Sequence, residues 1–205
     1  AYYTKGVTKA EKRAKRPPSP IGIATYVFVD KPQKPGENQK SKEDKYKLVL
    51  SVDAEEAKSP AMKALKLACI EAAEEKFGAK ARDAIKKRKI KMPWRPGTDY
   101  EENGFPFDRE DSIFMSFSSK EQPGCVNRKA KPIDPKEIYS GAVVRVTYGV
   151  WAYDTDGNKG VTLFLNNVQK VRDGDRLAGR PDAEDDFDAV EGEDGEDDSD
   201  LDDDI

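Results

Sequence analysis

A chain of 205 residues fits one domain with extensions or two small domains. Its hydrophobic fraction of 36% is low and its charged fraction of 37% is high, so part of the chain is expected outside any packed core. The absence of histidine excludes Ser–His and Cys–His catalysis and zinc sites with histidine ligands. Two cysteines, Cys69 and Cys125, are too few for a disulfide framework. Without a membrane-spanning apolar run or a visible signal peptide, we expect a cytoplasmic protein with no membrane partner.

The charge is divided unevenly along the chain. Residues 182–205 hold fifteen Asp and Glu and no Lys or Arg, whereas residues 1–181 carry a net charge of +11. This division predicts a polyanionic partner for the body and a regulatory or recruiting role for the acidic end. Because so many like charges cannot be buried together, residues 181–205 are predicted to form a disordered acidic tail.

The chain begins with a predicted basic arm and two predicted strands. Residues 1–20 are polar and basic and end in several prolines, which indicates a flexible arm before a domain over residues 21–180. Alternation over residues 21–30 predicts a strand. One face is expected to hold Ile21, Ile23, Thr25, Val27 and Val29, and the other Tyr26 and Phe28. Residues 45–53 predict a second strand with Lys45 and Lys47 on the face opposite Leu48 and Leu50.

The middle of the chain predicts helices and a loop. Ser59 and Pro60 are typical of a helix start, and Gly78 is a plausible stop. A second, basic helix is predicted from Ala79 to about Lys89, followed by a long loop over residues 90–111. Residues 112–118 predict a short strand.

The last two strands are the clearest prediction. Apolar residues alternate from Ala142 to Ala152, and Val161, Leu163 and Leu165 give the inward face of a returning strand. Residues 154–158 between them have the composition of a tight turn. Five strands and one main helix predict a mainly β fold with one or two helices, built on an OB-fold-like five-stranded barrel.

The second face of the long strand is the main candidate binding surface. It presents Arg145, Trp151 and Tyr153 opposite an aliphatic face. Large exposed rings require a covering group, and single-stranded nucleic acid supplies one because its bases stack on aromatic side chains. Tyr26, Phe28 and Phe114 are candidates to extend this surface. The alternative is that these rings pack beneath the helix or the long loops.

A second candidate is the basic segment over residues 86–95, which holds six cations, no acid and one tryptophan. It is predicted to contact phosphates and stack on a base through Lys87, Lys89, Trp94 and Arg95. The alternative is an ordinary solvated helix end, where cations are favoured by the helix dipole. Lys45 and Lys47 are further candidates for phosphate contact.

Three strings of residues carry a family resemblance. They are Tyr139-Ser140-Gly141, then Tyr153-Asp154 with Gly157-Asn158-Lys159-Gly160, then the run Leu-Asn-Asn-Val-Gln-Lys-Val-Arg-Asp-Gly over residues 165–174. Through these strings the chain resembles a family of phage single-stranded DNA-binding proteins. The similarity is dense over residues 139–187 and collinear from about residue 20. One departure is that the main helix follows the second predicted strand, whereas a standard OB barrel places it after the third.

The resemblance implies an OB-fold with an acidic C-terminus and a role in phage DNA replication or recombination in the host cell. The expected function is sequence-tolerant binding of single-stranded DNA without catalysis, cofactor or metal. Expected partners are single-stranded DNA, duplex DNA as a second option, replication or recombination proteins through the tail, and a second copy of the chain. The alternatives are a broader binder of duplex DNA or RNA, and an acidic-tailed chaperone for basic partners. A metal-dependent nuclease is disfavoured because the body lacks a carboxylate cluster.

Overall fold

The computed structural model describes residues 16–36, 43–100 and 105–177. The predicted acidic tail and most of the predicted basic arm lie outside these ranges. The strands are β1 (Gly22–Gln33), β2 (Lys45–Val52), β3 (Ile90–Lys91), β4 (Trp94–Pro96), β5 (Ile113–Ser119), β6 (Gly124–Val126), β7 (Val143–Thr155) and β8 (Asn158–Arg172). The helices are α1 (Pro60–Phe77) and α2 (Ala81–Lys86), with short 3-10 helices at Glu56–Lys58, Gly97–Asp99 and Pro135–Glu137. Among the described residues, no helix is long and apolar enough to cross a membrane.

Five of these strands close into a barrel. β1 pairs antiparallel with both β2 and β7, β2 pairs with β5, and β7 pairs with β8. The ring closes because β5 also pairs with β8, in parallel, at Phe117↔Leu163 and Ser118↔Phe164. The predicted mainly β fold with a five-stranded barrel is therefore confirmed. Three short strands extend it, since β3 and β6 pair with β8 and β4 pairs with β5.

Helix α1 lies between the second and third barrel strands in the chain and packs against β7 and β8. Its start is the predicted one, because the Ser59 hydroxyl accepts a hydrogen bond from the Met62 amide at 3.2 Å. It ends at Gly78, which has a φ of 78°. One side of the helix is buried in the barrel core, through Met62, Leu65, Cys69 and Ala73. Burial raises the pKa of the Cys69 thiol to about 12, so this side chain acts as a neutral core residue.

The β7–β8 hairpin follows the predicted alternation. Val144, Val146 and Leu163 are inward and fully or almost fully buried. The turn joins Thr155 and Asn158, which are paired, and its two central residues both have positive φ. Positive φ at both positions is the requirement of a type I′ turn, which Asp156 and Gly157 meet.

Strand β1 departs from the predicted alternation. Ala24 pairs with Leu50 but Tyr26 pairs with Val49, so Thr25 is an extra residue in a β-bulge. The bulge moves the core-facing positions by one residue, so that Ala24 is fully buried and Ile21 is 37% exposed. The expectation that Ile21 and Ile23 share the core face of Val27 and Val29 is therefore wrong.

The segment predicted as a long loop contains two short strands. β3 adds to β8 and β4 adds to β5, and both pairings join residues far apart in the sequence. The predicted second helix is also shorter than expected, because α2 ends at Lys86 and Arg88 has a φ of 54°. A left-handed backbone at Arg88 is incompatible with continuing the helix.

The barrel begins before residue 21. The Ser19 amide donates to the Val146 carbonyl at 2.8 Å, and the Ser19 hydroxyl accepts from the Val146 amide at 2.9 Å. Ser19 is buried, so this part of the predicted arm is attached to β7.

Candidate nucleic-acid interface

The outer face of the barrel carries a row of paired residues across all five barrel strands. Phe28 on β1 pairs with Lys47 on β2, and Lys47 pairs with Ser118 on β5. Ser118 pairs with Phe164 on β8, which lies opposite Gly149 on β7. Paired residues on neighbouring strands project from the same face of a sheet. The row therefore combines two aromatic rings, one lysine and two small residues.

A second row lies two residues along each strand. Tyr26 on β1 pairs with Val49, which pairs with Ser116 on β5. On the other side of the barrel closure, Trp151 on β7 pairs with Thr162 on β8. The two rows together place large rings around a floor of small and hydroxyl side chains.

These rings are unusually exposed. Tyr26, Trp151 and Phe164 have exposed fractions of 46%, 49% and 40%, whereas large rings usually bury most of their area. Exposed rings on one sheet face mark a surface that another molecule covers. We define the aromatic surface as Tyr26, Phe28, Trp151, Tyr153 and Phe164.

Tyr153 extends the aromatic surface towards β3. A Cβ atom at Gly160 would lie 2.5 Å from the Tyr153 hydroxyl oxygen, so the ring lies across this glycine. Lys91 on β3 pairs in parallel with Gly160 and is exposed. This cation therefore borders the aromatic surface, although the predicted set of basic contacts did not include it.

Phe114 is enclosed by rings that sequence interpretation missed. Its ring centroid lies 5.0 Å from that of Tyr100 and 6.5 Å from that of Phe105. Tyr100 is also 6.1 Å from Tyr26, and Phe105 is 6.2 Å from Phe107. The loop after β4 thus links Phe114 to the aromatic surface. The signal for this cluster was the local abundance of aromatic residues over 100–107.

Arg109 holds this loop in place. Its guanidinium donates hydrogen bonds to the carbonyls of Thr98 and Tyr100, each at 2.7 Å, and to that of Gly97 at 3.3 Å. Because the Arg109 side chain binds three backbone carbonyls, it fixes the backbone that carries Tyr100.

Trp94 and Arg95 are neighbours on strand β4, and their side chains lie on opposite faces of the sheet. Arg95 pairs with Phe114 and faces outward, whereas Trp94 pairs with the buried Met115 and packs against the core. The Lys66 ammonium on α1 lies 5.8 Å from the centroid of the Trp94 ring. Burial lowers the pKa of Lys66. The structure therefore brings Arg95, but not Trp94, to the outer face.

The predicted lysines fall into two groups. Lys45 and Lys47 lie at alternate positions on the outer face of β2. Lys87 and Lys89 are exposed between α2 and β3, which pairs with the beginning of β8. Lys91 of β3 pairs with Gly160 of β8, which lies four residues, or about 13 Å along the strand, before Phe164.

Arg145 lies on the outer face at the opposite end of β7. Its Nε donates to the Gln169 side-chain oxygen at 2.7 Å, and the Gln169 amide group donates to the Asn127 carbonyl at 3.1 Å. Six residues separate it from Trp151, which is about 20 Å along a strand. The structure does not bring Arg145 together with the aromatic surface.

Two of the three strings that carry the family resemblance, residues 139–141 and residues 165–174, meet in space. The Tyr139 hydroxyl donates to the Gly174 carbonyl at 2.9 Å and accepts from the Gly174 amide at 3.1 Å. Cations lie over the Tyr139 ring, with the Arg176 guanidinium carbon 4.5 Å and the Lys170 nitrogen 5.2 Å from its centroid. The end of β8 is thus locked to the residues before β7.

The same region of the fold fixes the position of Leu177. The Leu177 amide donates to the Ser140 carbonyl at 3.1 Å, and the Ser140 hydroxyl donates to the Thr25 carbonyl at 2.7 Å. Thr25 directly precedes Tyr26. Leu177, the last described residue, therefore lies close to one edge of the aromatic surface.

Sequence comparisons match most of the chain to one family. The family model described as Enterobacter phage Enc34, ssDNA-binding protein, matches residues 25–200. A protein named p50, from Acyrthosiphon pisum secondary endosymbiont phage 1, is 33% identical over 87 residues. That match covers 42% of this chain and 45% of p50, so the chain spans about half the length of this relative.

Two solved structures share the fold. The single-stranded DNA-binding protein from bacteriophage Enc34, in complex with ssDNA, is 18% identical with a TM-score of 0.57, over 77% of this chain and 86% of that one. The single-stranded DNA binding protein gp2.5 of bacteriophage T7 is also 18% identical, with a TM-score of 0.56, over 78% of this chain and 93% of that one.

Proposed function

The chain belongs to the Enc34 family of phage single-stranded DNA-binding proteins, and we propose that it binds single-stranded DNA along the aromatic surface. The observation that carries this proposal is the register of the outer face. The row from Phe28 through Lys47 to Phe164, with Trp151 beside it, combines exposed rings and a cation on one continuous sheet face. Single-stranded DNA offers both of the groups that this surface fits, flat bases and phosphates.

Stacking supplies the affinity and cations hold the backbone. Each base stacked on a ring contributes about 1–3 kcal/mol, and every base has a π-face, so the binding is sequence-tolerant. Lys47 lies within the first row, and Lys91 and Arg95 border the aromatic surface on β3 and β4. Oligonucleotide-binding barrels of this kind cover about 4–16 nucleotides each, and we expect a site within that range.

The biological role we propose is protection and organisation of single-stranded DNA during phage DNA replication or recombination in the cytoplasm of the host. The protein performs no chemistry in this role and needs no cofactor. The acidic tail recruits replication or recombination proteins, because a released polyanionic segment is free to contact basic surfaces. Membership of the Enc34 family supports the DNA-binding part of this proposal.

The proposed specificity is tested by one titration series. Fluorescently labelled oligomers of single-stranded DNA, duplex DNA and RNA are titrated with the full chain at two salt concentrations. We expect the tightest binding to single-stranded DNA, because only unpaired bases can lie on the rings. Tighter binding to duplex DNA at both salt concentrations would contradict the proposal.

Salt dependence tests the role of the basic segment. The logarithm of the affinity is expected to fall linearly with the logarithm of the salt concentration, by roughly 0.7 per phosphate neutralised. Replacing Lys87 and Lys89 by alanine should make the slope shallower by up to about 1.4. Lys58→Ala with Lys63→Ala is the matched control, since both of these lysines are exposed near the start of α1. A slope unchanged by the first pair assigns Lys87 and Lys89 to ordinary solvated surface.

A further inference from the structure

The turn that follows β6 carries cations that the aromatic surface does not include. Arg128, Lys129 and Lys131 are all exposed in this turn. The side-chain oxygen of Asn127 accepts hydrogen bonds from the amides of Lys129 and Lys131, at 2.9 and 3.0 Å. The Asn127 amide also donates to the Lys131 carbonyl at 2.8 Å, which closes the turn. The three cations therefore project from a backbone that local hydrogen bonds hold in one shape.

Gln169 on β8 attaches this turn to the outer face of the barrel. Its side-chain nitrogen donates to the carbonyls of Asn127 and Arg128, at 3.1 and 3.3 Å. Its side-chain oxygen accepts a hydrogen bond from the Arg145 Nε at 2.7 Å. The turn is thereby held beside Arg145, the single cation of β7. We define the distal cluster as Arg128, Lys129, Lys131 and Arg145.

The strands that carry the distal cluster supply no negative charge to neutralise it. Residues 123–133, 141–153 and 160–172 contain no Asp or Glu. Within the part of the chain that the structure describes, no carboxylate forms an ion pair with a member of the cluster. Cations grouped without counter-charges create a positive potential that attracts a polyanion. Residues 123–133 also contain no aromatic side chain, so the turn suits phosphates and not stacked bases.

The outer face of the β7–β8 hairpin connects the distal cluster to the aromatic surface. Counted from the hairpin tip, the outward-facing residues of β7 are Tyr153, Trp151, Gly149, Thr147 and Arg145. A Cβ atom at Gly149 would lie 3.6 Å from Phe164 Cδ2, so the Phe164 ring lies beside this glycine. From Gly149 to Arg145 is four residues, or about 13 Å. Only Thr147 and its partner Asn167 lie between, and both are small, polar and exposed.

We propose that the distal cluster binds the phosphates of the single strand of DNA whose bases stack on the aromatic surface. This inference rests on the proposed function, because the strand reaches the cluster from the rings, along the outer face of β7 and β8. The rings supply stacking contacts, and the cluster supplies charge contacts that begin about 20 Å from Trp151. The path of the DNA is therefore longer than the aromatic surface.

The two sites differ in the length of DNA that they require. The rings of the aromatic surface can hold an oligonucleotide of about 4 nucleotides entirely, which is the lower end of the range for one oligonucleotide-binding barrel. An oligonucleotide of about 16 nucleotides, the upper end of that range, spans both sites. Only the longer oligonucleotide should therefore depend on the distal cluster.

The experiment compares the salt dependence of binding for oligothymidines of these two lengths on the full chain. Lys129→Ala with Lys131→Ala removes two exposed cations of the turn. For the longer oligonucleotide, the slope of log affinity against log salt should become shallower by up to about 1.4, since each phosphate neutralised contributes about 0.7. Arg145→Gln should change the same slope by up to about 0.7. For the shorter oligonucleotide, neither slope nor affinity should change, which also verifies that the variants are folded.

Lys58→Ala with Lys63→Ala is the matched control, because it removes the same charge from exposed positions near the start of α1 and should leave both slopes unchanged. Equal changes from the two lysine pairs, an unchanged slope for the longer oligonucleotide, or an equal change at both lengths would overturn the distal site. Trp151→Ala should weaken binding at both lengths. That variant tests the proposed function separately, so failure of one is distinguishable from failure of the other.

Discussion

Replacing Trp151 by alanine is expected to weaken binding of a single-stranded oligonucleotide by about 1–3 kcal/mol, or about 5- to 150-fold. The ring is 49% exposed on the outer face of β7, so its removal deletes a stacking contact and leaves the core intact. Adding Phe164→Ala should bring the total to about 2–6 kcal/mol if the two rings act independently. Fluorescence anisotropy at fixed salt measures both affinities, and circular dichroism verifies the fold.

Leu67→Ala is the matched control for these truncations. Leu67 is 50% exposed but lies on α1, away from the aromatic surface, so its removal should leave DNA affinity unchanged. Tyr153→Ala should also weaken DNA binding, since this ring lies across Gly160 on the same face. Unchanged binding by the Trp151 and Phe164 variants would place the DNA elsewhere on the barrel.

Deleting residues 182–205 is expected to tighten binding of a short oligonucleotide at low salt by roughly tenfold. A tethered segment has an effective concentration of about 1 mM, and a weak polyanion contact has a dissociation constant of about 10⁻⁴ M. The ratio of these two values, about ten, is the factor by which the tail is expected to weaken DNA binding. The gain should shrink as salt rises, because the attraction between the tail and the +11 body is screened. Binding of duplex DNA should rise as well.

The prediction is tested by measuring the affinity of the full and the truncated chain for one short oligonucleotide across a salt series. Long single strands, which neutralise more of the basic surface, should displace the tail and show a smaller gain. Equal affinities at low salt would reduce the tail to a solubility device.

Local rules were sufficient for the elements whose pairing is local. The β7–β8 hairpin follows from alternation and from the residues that tolerate positive φ at Asp156 and Gly157. The helix start at Ser59 and its end at Gly78 also follow from short-range chemistry. The outward position of Trp151 was predictable for the same reason, because it alternates with buried neighbours on one regular strand.

Features that depend on distant partners were not predictable. The bulge at Thr25 exists only in the pairing of β1 with β2, so simple alternation assigned Ile21 and Ile23 to the wrong face. β3 and β4 are too short to show a period, and their strand character comes from β8 and β5. The pairing of β4 with β5 places Trp94 towards the core and Arg95 on the outer face. Composition alone does not distinguish these two residues within the basic segment.

Two parts of the interface were present in the sequence but were not identified. Phe164 alternates with the inward-facing Leu163 and Leu165, and its outward position follows from the same pattern. Tyr100 and Phe105 lie in a loop without periodicity, so only their contacts with Phe114 and Tyr26 assign them to the surface.

The most direct test of the central claim uses the two tryptophans of the chain as separate probes. Trp94→Phe leaves Trp151, on the aromatic surface, as the sole tryptophan of the chain. Trp151→Phe leaves only Trp94, which packs against the core beside Lys66. Tryptophan fluorescence is recorded while each variant is titrated with a single-stranded oligonucleotide. Binding along the aromatic surface predicts strong, saturable quenching of Trp151 through base stacking and little change in Trp94. Quenching of Trp94 with an unaffected Trp151 would contradict it.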